Sequence, residues 1–459
     1  MLREGPKYRI VNEVTGVWAT SSGVPSPRRH RLPRLLRTEP AHAGRRTDAA
    51  HKGGCMSFHD PAVPVCPFDF ADALEFDPSL AALAEDGPVS RIRLPYGEAE
   101  AWLVTSFAGV RQVTCDPKFS RAAIVGRDYP RMTPEPIVSP ESINVTDPPH
   151  ATRLRHVAAQ AFTRDRVAGM RPAVDRVVAG LLTEMAEAGP PADLVTHLSV
   201  PLPHLTICEL LAVPETDRDH LRTLTMRLLA TSPDARQDAA DAKADLRAYF
   251  AKLVPDRRGT PGEDLLSTMA TAPVPEGEEP LSDDELAVLA VTLILSGNDT
   301  ATCQISNIAY LLLTRPEECA ALARDLGRLP GALEELLRFI PFRKGVGIPR
   351  IALEDAEIEG TAIRAGDYVH VSYLAANRDP DVFPDPHTLD LRRPVHPHMT
   401  FGWGGHHCLA APLARAELDS AVTGLLTRFP GLRLAVGPED VEWDTGTIRR
   451  FPVRLPVIW

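Results

Sequence analysis

The chain lacks what several function classes need. Its seven cysteines (Cys55, Cys66, Cys115, Cys208, Cys303, Cys319, Cys408) are odd in number, scattered over 459 residues and nowhere spaced as CxxC. That excludes a disulfide framework and a zinc ribbon and fits a reducing cytoplasm. Basic surplus is also missing. The formal net charge is -11, whereas proteins that grip nucleic acid turn a basic face to its phosphates. A membrane span needs about 20 apolar residues, but the longest apolar run, Leu286 to Ser296, stops at Gly297-Asn298-Asp299, so no spanning helix and no membrane partner are expected. No glycine-rich flavin or nicotinamide fingerprint and no iron–sulfur cysteine spacing occurs, and there is no internal repeat.

What is present is a chain 44% hydrophobic, enough for a large core without covalent staples. Residues 1–55 differ in kind: eleven basic side chains face four acidic ones, a balance of +7. We read them as a disordered extension or a start-site artefact, since Met56 offers a second start. Arg28-Arg29 lacks the apolar stretch of an export signal behind it. Residues 56–459 read as one domain. Helical periodicity runs through about 151–162, 166–188, 203–213, 217–230, 234–254, 283–314, 316–325, 330–339 and 409–428. Alternation on both sides of a Pro-Tyr-Gly turn at 89–105, and in parts of 350–372, predicts hairpins. The fold class is mainly α with a small β region. The Pro-rich loop 129–140 reads either as a lid or as a surface connection.

Three local patterns carry chemistry. The segment from Ser282 to Pro316 opens with Ser282 and Glu285 in capping-box spacing and predicts a central helix of roughly 48 Å, at about 1.5 Å per residue. Its middle, Ser296-Gly297-Asn298-Asp299-Thr300, holds five poor helix formers in a row. Asp299 and Thr300 can bond back to carbonyls, loosen the helix and hold a water, while Gly297 lets another body approach; a plain kink with a satisfied Asp299 is the bland alternative. Next, Glu335 and Arg338 stand three apart on one helical face amid Leu333, Leu336, Leu337 and Phe339, either as a surface pair of little worth or as a buried one. Last, "FGWGGHHCLAAP" at 401–412 puts Cys408 between a glycine-rich turn and a helix start. Zinc binding by His406, His407 and Cys408 is disfavoured, because three consecutive residues poorly supply three tetrahedral corners. A Cys–His nucleophile and a small buried thiol stay open. Amide donors and the positive helix end favour a thiolate, which suits an axial metal ligand.

In this order, these patterns resemble the soluble bacterial members of the cytochrome P450 family, with a likeness running from about residue 65 to 459. Phe401, Gly402, Gly404, His406 and Cys408 match F-G-x-G-x-H-x-C in full; Ser296, Gly297, Asp299 and Thr300 match the central-helix segment; Glu335 and Arg338 match Glu-x-x-Arg. "TDPPHATRLR", "AANRDPDVFPDP" and "APLAR" are similar to phrases of bacterial members. The resemblance implies haem b between the central helix and the cysteine-loop helix, with Cys408 as axial iron ligand. It also implies Arg155, Arg350, His398 and His406 as partners of the haem propionates. There are departures. Ala410 replaces a usual glycine, Ala151 stands where a histidine is usual with His150 one place early, and Thr388 stands where an arginine is usual, with His387 as its expected substitute.

The activity implied is insertion of one atom of O₂ into an apolar small molecule, and the bacterial members it resembles often tailor secondary metabolites such as antibiotics. Asp299 and Thr300 would relay protons, and Glu335 and Arg338 would be scaffold. A ferredoxin with its reductase would supply electrons, and Arg153, Arg155, Arg164, Arg166 and Arg415 form the expected docking face. The substrate chamber is expected from 121–146, Leu293, Ser296, 346–349 and 445–448, with Arg343 and Lys344 facing either an anionic substrate group or water. A peroxide-driven enzyme and a non-catalytic haem sensor are the alternatives.

Overall fold

In the computed structural model, which describes residues 63–66, 73–133, 136, 139–228, 235–274, 277–444 and 447–459, helices form where the sequence repeats at helical period. They are α1 (Pro78–Asp86), α2 (Phe107–Cys115), α3 (His150–Ala161), α4 (Arg164–Ala188), α5 (Pro201–Leu210), α6 (Glu215–Leu228) and α7 (Arg236–Gly259). The series continues with α8 (Leu265–Ala270), α9 (Asp283–Leu313), α10 (Pro316–Arg324), α11 (Leu329–Phe339), α12 (Tyr373–Ala376) and α13 (Ala411–Arg428). The extension 1–55 and Met56 lie outside the described residues. Helices α1, α2, α8 and α12 were not foreseen, because segments of 9, 9, 6 and 4 residues hold too few turns to display a period. Side-chain caps mark their starts instead: Asp77, Ser106, Asp264 and Ser372 each accept a hydrogen bond from a first-turn amide.

Helix α9 has the expected capping box and runs 31 residues without a break. The loosening predicted at Ser296–Thr300 does not occur. The hydroxyls that bond back are those of Thr292, to the Val288 carbonyl at 2.9 Å, and Thr302, to the Asn298 carbonyl at 3.0 Å. The Asp299 carboxylate turns away from the helix. By length and composition α9 could cross a membrane, with mean hydropathy 1.4 over its best 18-residue window, even though Gly297-Asn298-Asp299 interrupt its apolar run. Half of that window is buried within this protein, where α9 packs against α5, α7 and α13.

The strands are β1 (Val89–Ile92), β2 (Ala101–Val104), β3 (Phe119–Ser120), β4 (Ala192–Asp193), β5 (Arg350–Ala352), β6 (Ala356–Ile358), β7 (Thr361–Ile363), β8 (Tyr368–Val371), β9 (Arg433–Leu434) and β10 (Pro456–Ile458). The expected hairpin pairs Val89 with Val104 and Ile92 with Ala101. It then extends into a five-stranded sheet ordered β1-β2-β8-β5-β3, in which β2 and β8 are parallel. Within this sheet Arg350 opens β5 opposite Val369, its side chain buried. A smaller sheet ties the end of the chain, β10, between β4 and β9.

Candidate functional site

The loop before α13 is shaped by two left-handed glycines. Gly402 has φ +75° and Gly404 φ +67°, and a Cβ on Gly404 would lie 2.2 Å from the Thr114 carbonyl oxygen, so α2 is pressed directly against the loop. The Cys408 amide closes the turn on the Phe401 carbonyl at 2.8 Å, and the Gly402 amide bonds the Met399 carbonyl at 2.8 Å. Asn377 secures the upstream side: its Oδ1 accepts from the Met399 amide at 2.6 Å and its Nδ2 donates to the Thr400 hydroxyl at 2.9 Å. Cys408 is half-buried. Burial pushes its thiol up from the usual range; the amides of Ala410 and Ala411 and the cations Arg155 and Arg415 pull the other way. The helix-start donors expected from the sequence therefore act, but they are the alanines rather than the three glycines, and burial outweighs them.

Around this loop converge charged groups without counter-ions. Arg350 is 1% exposed, and neither of its terminal nitrogens has a hydrogen-bond partner. Arg121, also buried, reaches only the Asn144 carbonyl at 3.1 Å, and its Nε is unpartnered. Burial, then Arg350 beside it, brings its guanidinium down to about 9. Arg155 extends from α3 to the His407 carbonyl. His406 has an unpartnered Nδ1, and burial followed by Arg121, Arg350 and Arg155 drives its imidazole down to about 2, so it is neutral. The nearest carboxylate, Asp147, is already occupied by the Arg121 and Ala122 amides and the Ser120 hydroxyl. Isolated buried charge costs several kcal/mol. This cluster is therefore built for an anionic group that the chain itself does not provide.

A second buried cluster is complete. Glu335 takes a bidentate pair from Arg338, at 2.7 and 2.8 Å, and a further bond from Arg393 at 3.1 Å. The residue expected to complete it, His387, instead lies edge-on against Phe76, and Arg393 reaches Glu335 because the 384–393 loop folds back. Arg338 also donates to the Asn377 carbonyl at 2.8 Å, so the cluster holds the asparagine that holds the cysteine loop. His398 Nδ1 accepts from the Thr400 amide at 3.3 Å and its Nε2 pairs with Glu334 at 3.2 Å. Arg121, Arg393 and Asn377 were missed as site residues, because single arginines far apart in sequence carry no local signal.

On the central helix, Asp299 is bound by Arg449 at 2.5 Å, while the Thr300 hydroxyl makes no hydrogen bond among the described residues. A Cβ added to Gly297 would meet nothing within 4 Å, so this face borders open space. Leu293 is half-buried, Ser296 exposed and Val346 buried; residues 134–135, 137–138 and 445–446 of the expected chamber lie outside the described residues. His150 is exposed at the start of α3.

A family model described as Cytochrome P450 matches residues 221–442. Nocardicin C N-oxygenase of Nocardia uniformis subsp. tsuyamanensis is 45% identical over 394 residues, covering 86% of this chain and 98% of that protein. This chain belongs to the cytochrome P450 family. The P450 is also 42% identical over 388 residues to biflaviolin synthase of Streptomyces coelicolor, covering 84% of this chain and 94% of that one. The crystal structure of cytochrome P450mel 107F1 with biaryl coupling reactivity superposes with a TM-score of 0.81 at 59% identity, over 86% of this chain and all of that one. It is accordingly a P450 monooxygenase of the bacterial kind found in secondary metabolism. The family implies haem-thiolate iron. The residues present fit that group: a cation cluster whose buried guanidiniums have unpartnered nitrogens, a thiol among amide donors, and a glycine on the central helix bordering open space. Of the expected docking arginines, Arg153 is paired with Glu285, Arg166 with the Thr268 hydroxyl at 2.9 Å, and Arg415 with Glu334 at 2.6 Å. Only part of that face is thus uncommitted charge.

Proposed function

We propose that this P450 holds haem b through the Cys408 thiolate, with Arg121, Arg155, Arg350 and His406 receiving the propionates. One observation carries the reading: two buried guanidiniums, Arg121 and Arg350, with the half-buried Arg155 and the unpartnered His406 Nδ1, converge beside Cys408, and no carboxylate among the described residues pairs with their side chains. When bound, the haem supplies O₂ activation. The protein's own part is to exclude water, keep the sulfur under amide donors, and supply the Asp299 carboxylate and the Thr300 hydroxyl as the groups that pass a proton. Phe401 lies against Arg415, ring to guanidinium at 4.5 Å, and shields the turn that carries the sulfur. Electrons come from a ferredoxin and its reductase in the cytoplasm, since the sequence has no flavin or iron–sulfur site of its own.

The substrate is a small secondary metabolite. Coupling of two phenolic rings is the reaction we favour, on the 59% identity to a structure named for biaryl coupling. Coupling removes one hydrogen from each ring and adds no oxygen, so product mass separates it from hydroxylation. Replacing Cys408 with serine tests the site: we expect the carbon-monoxide difference spectrum of a thiolate-ligated haem to vanish. An unchanged spectrum in C408S would overturn the assignment.

A further inference from the structure

Beyond the cysteine loop, a second charge imbalance lies beside Asp299. The backbone builds it. The Lys344 amide donates to the Ile448 carbonyl at 2.7 Å and the Arg450 amide to the Phe342 carbonyl at 3.0 Å, so residues 342–344 and 448–450 run as a short antiparallel ladder. Arg343 and Arg449 are paired across it. Arg449 Nε holds the Asp299 carboxylate at 2.5 Å. Arg343 has no carboxylate of its own: its Nη2 donates to the Val346 carbonyl at 3.2 Å and its buried Nε has no partner. Gly347 makes room for it, since a Cβ there would sit 3.3 Å from Arg343 Nη1. The guanidinium is brought down to about 10 by burial and then by its neighbour Arg449, with Tyr373 and Asp299 opposing. Two guanidiniums thus share one carboxylate, and the Arg449 and Asp299 side chains keep 20% and 32% of their surface exposed.

We propose that Arg343 and Arg449 form an anion subsite for the substrate, which is a small aromatic acid or acidic phenol bound as its anion, and that its arrival draws Arg449 off Asp299. This rests on the P450 reading above and narrows it. The missing charge is the reason. A site with two cations and one anion gains from a second anion, while a neutral substrate leaves Arg343 uncompensated and Asp299 tethered. The tether matters because a carboxylate held at 2.5 Å by a guanidinium is not free to pass a proton toward Thr300. Binding of the anion therefore couples recognition to release of the proton-carrying group.

The test uses the purified holoenzyme and a matched pair of flat probes, 2-hydroxy-1,4-naphthoquinone, an anion at neutral pH, and its neutral 2-methyl ether. Calorimetry should give at least about tenfold tighter binding of the anion, falling about tenfold in Arg343→Met while the ether is unaffected. Arg449 could also serve the fold, so Asp299→Asn is the second arm. Removing the competing carboxylate should tighten the anion several-fold, an effect that a purely structural role would not produce. Equal or absent binding of the two probes, an unaltered anion affinity in R343M, or weaker anion binding in D299N would each overturn the subsite. The carbon-monoxide spectrum is recorded on the same samples. A lost thiolate signature with the anion preference intact would sink the P450 site assignment and spare the subsite, and an intact signature without the preference would do the reverse.

Discussion

Two buried arginine clusters sit within reach of the same cysteine loop, and they are finished differently. Around Glu335, Arg338 spends its donors on the carboxylate and on the Asn377 and Pro386 carbonyls, and Arg393 on Glu335 and the Pro384 carbonyl. Around His406, Arg350 ends in two unpartnered nitrogens, and Arg121 in one. Folding can bury a cation at modest cost only when acceptors surround it. The first cluster meets that condition from within the chain. The second defers it to a bound anion, and this contrast separates scaffold from binding site more sharply than burial alone, which is nearly the same in both.

The contrast is broken most forcefully at its complete side. Glu335→Gln should leave Arg338 and Arg393 facing a neutral amide in the interior and cost about 3–5 kcal/mol; thermal unfolding and the yield of haem-loaded protein would show it, and a variant of parental stability would remove the scaffold role. A carboxyl with no cation at all gives the next largest effect. Glu417 on α13 is buried, and burial, opposed by the nearby Thr206 hydroxyl, lifts it to about 8. Its folded-state value lies above the unfolded one of about 4.5, so the folded state binds the proton more tightly. The associated stability is complete below about pH 4.5 and is lost as pH rises through about 8. Glu417→Gln should therefore match the parent at pH 4 and exceed it by about 4 kcal/mol at pH 9 in denaturant titrations; parallel pH curves would refute this. The smallest effect has the opposite sign to the first. Arg350→Met should raise the stability of the haem-free protein by about 1–3 kcal/mol while speeding haem loss, measured by melting and by transfer of haem to apomyoglobin. A destabilised haem-free R350M would show that Arg350 is paired after all.

What the sequence made legible was local. The capping box of α9, the glycines about Cys408, the Glu335–Arg338 spacing and the β1–β2 hairpin all join residues within a few positions or across one turn, where period and turn chemistry speak directly. The partners that complete each feature come from afar. Arg393 lies 58 residues from Glu335, Arg449 lies 150 from Asp299, and Arg155 lies 252 from His407. The parallel pairing of β2 with β8 is equally remote. No periodicity reports such meetings. His387 was expected to substitute for an arginine that the resemblance implies, and a side chain from elsewhere in the fold, Arg393, took that position. The unbroken helix at Ser296–Thr300 teaches the same lesson, since low propensity summed over five residues yields to packing against α5, α7 and α13.

The ladder between 342–344 and 448–450 is made of amides and carbonyls only. Its rungs are therefore formed without the side chains at positions 343 and 449. Exchange of either arginine would leave those rungs in place, so the charge of the proposed subsite can be altered without rebuilding the backbone that carries it.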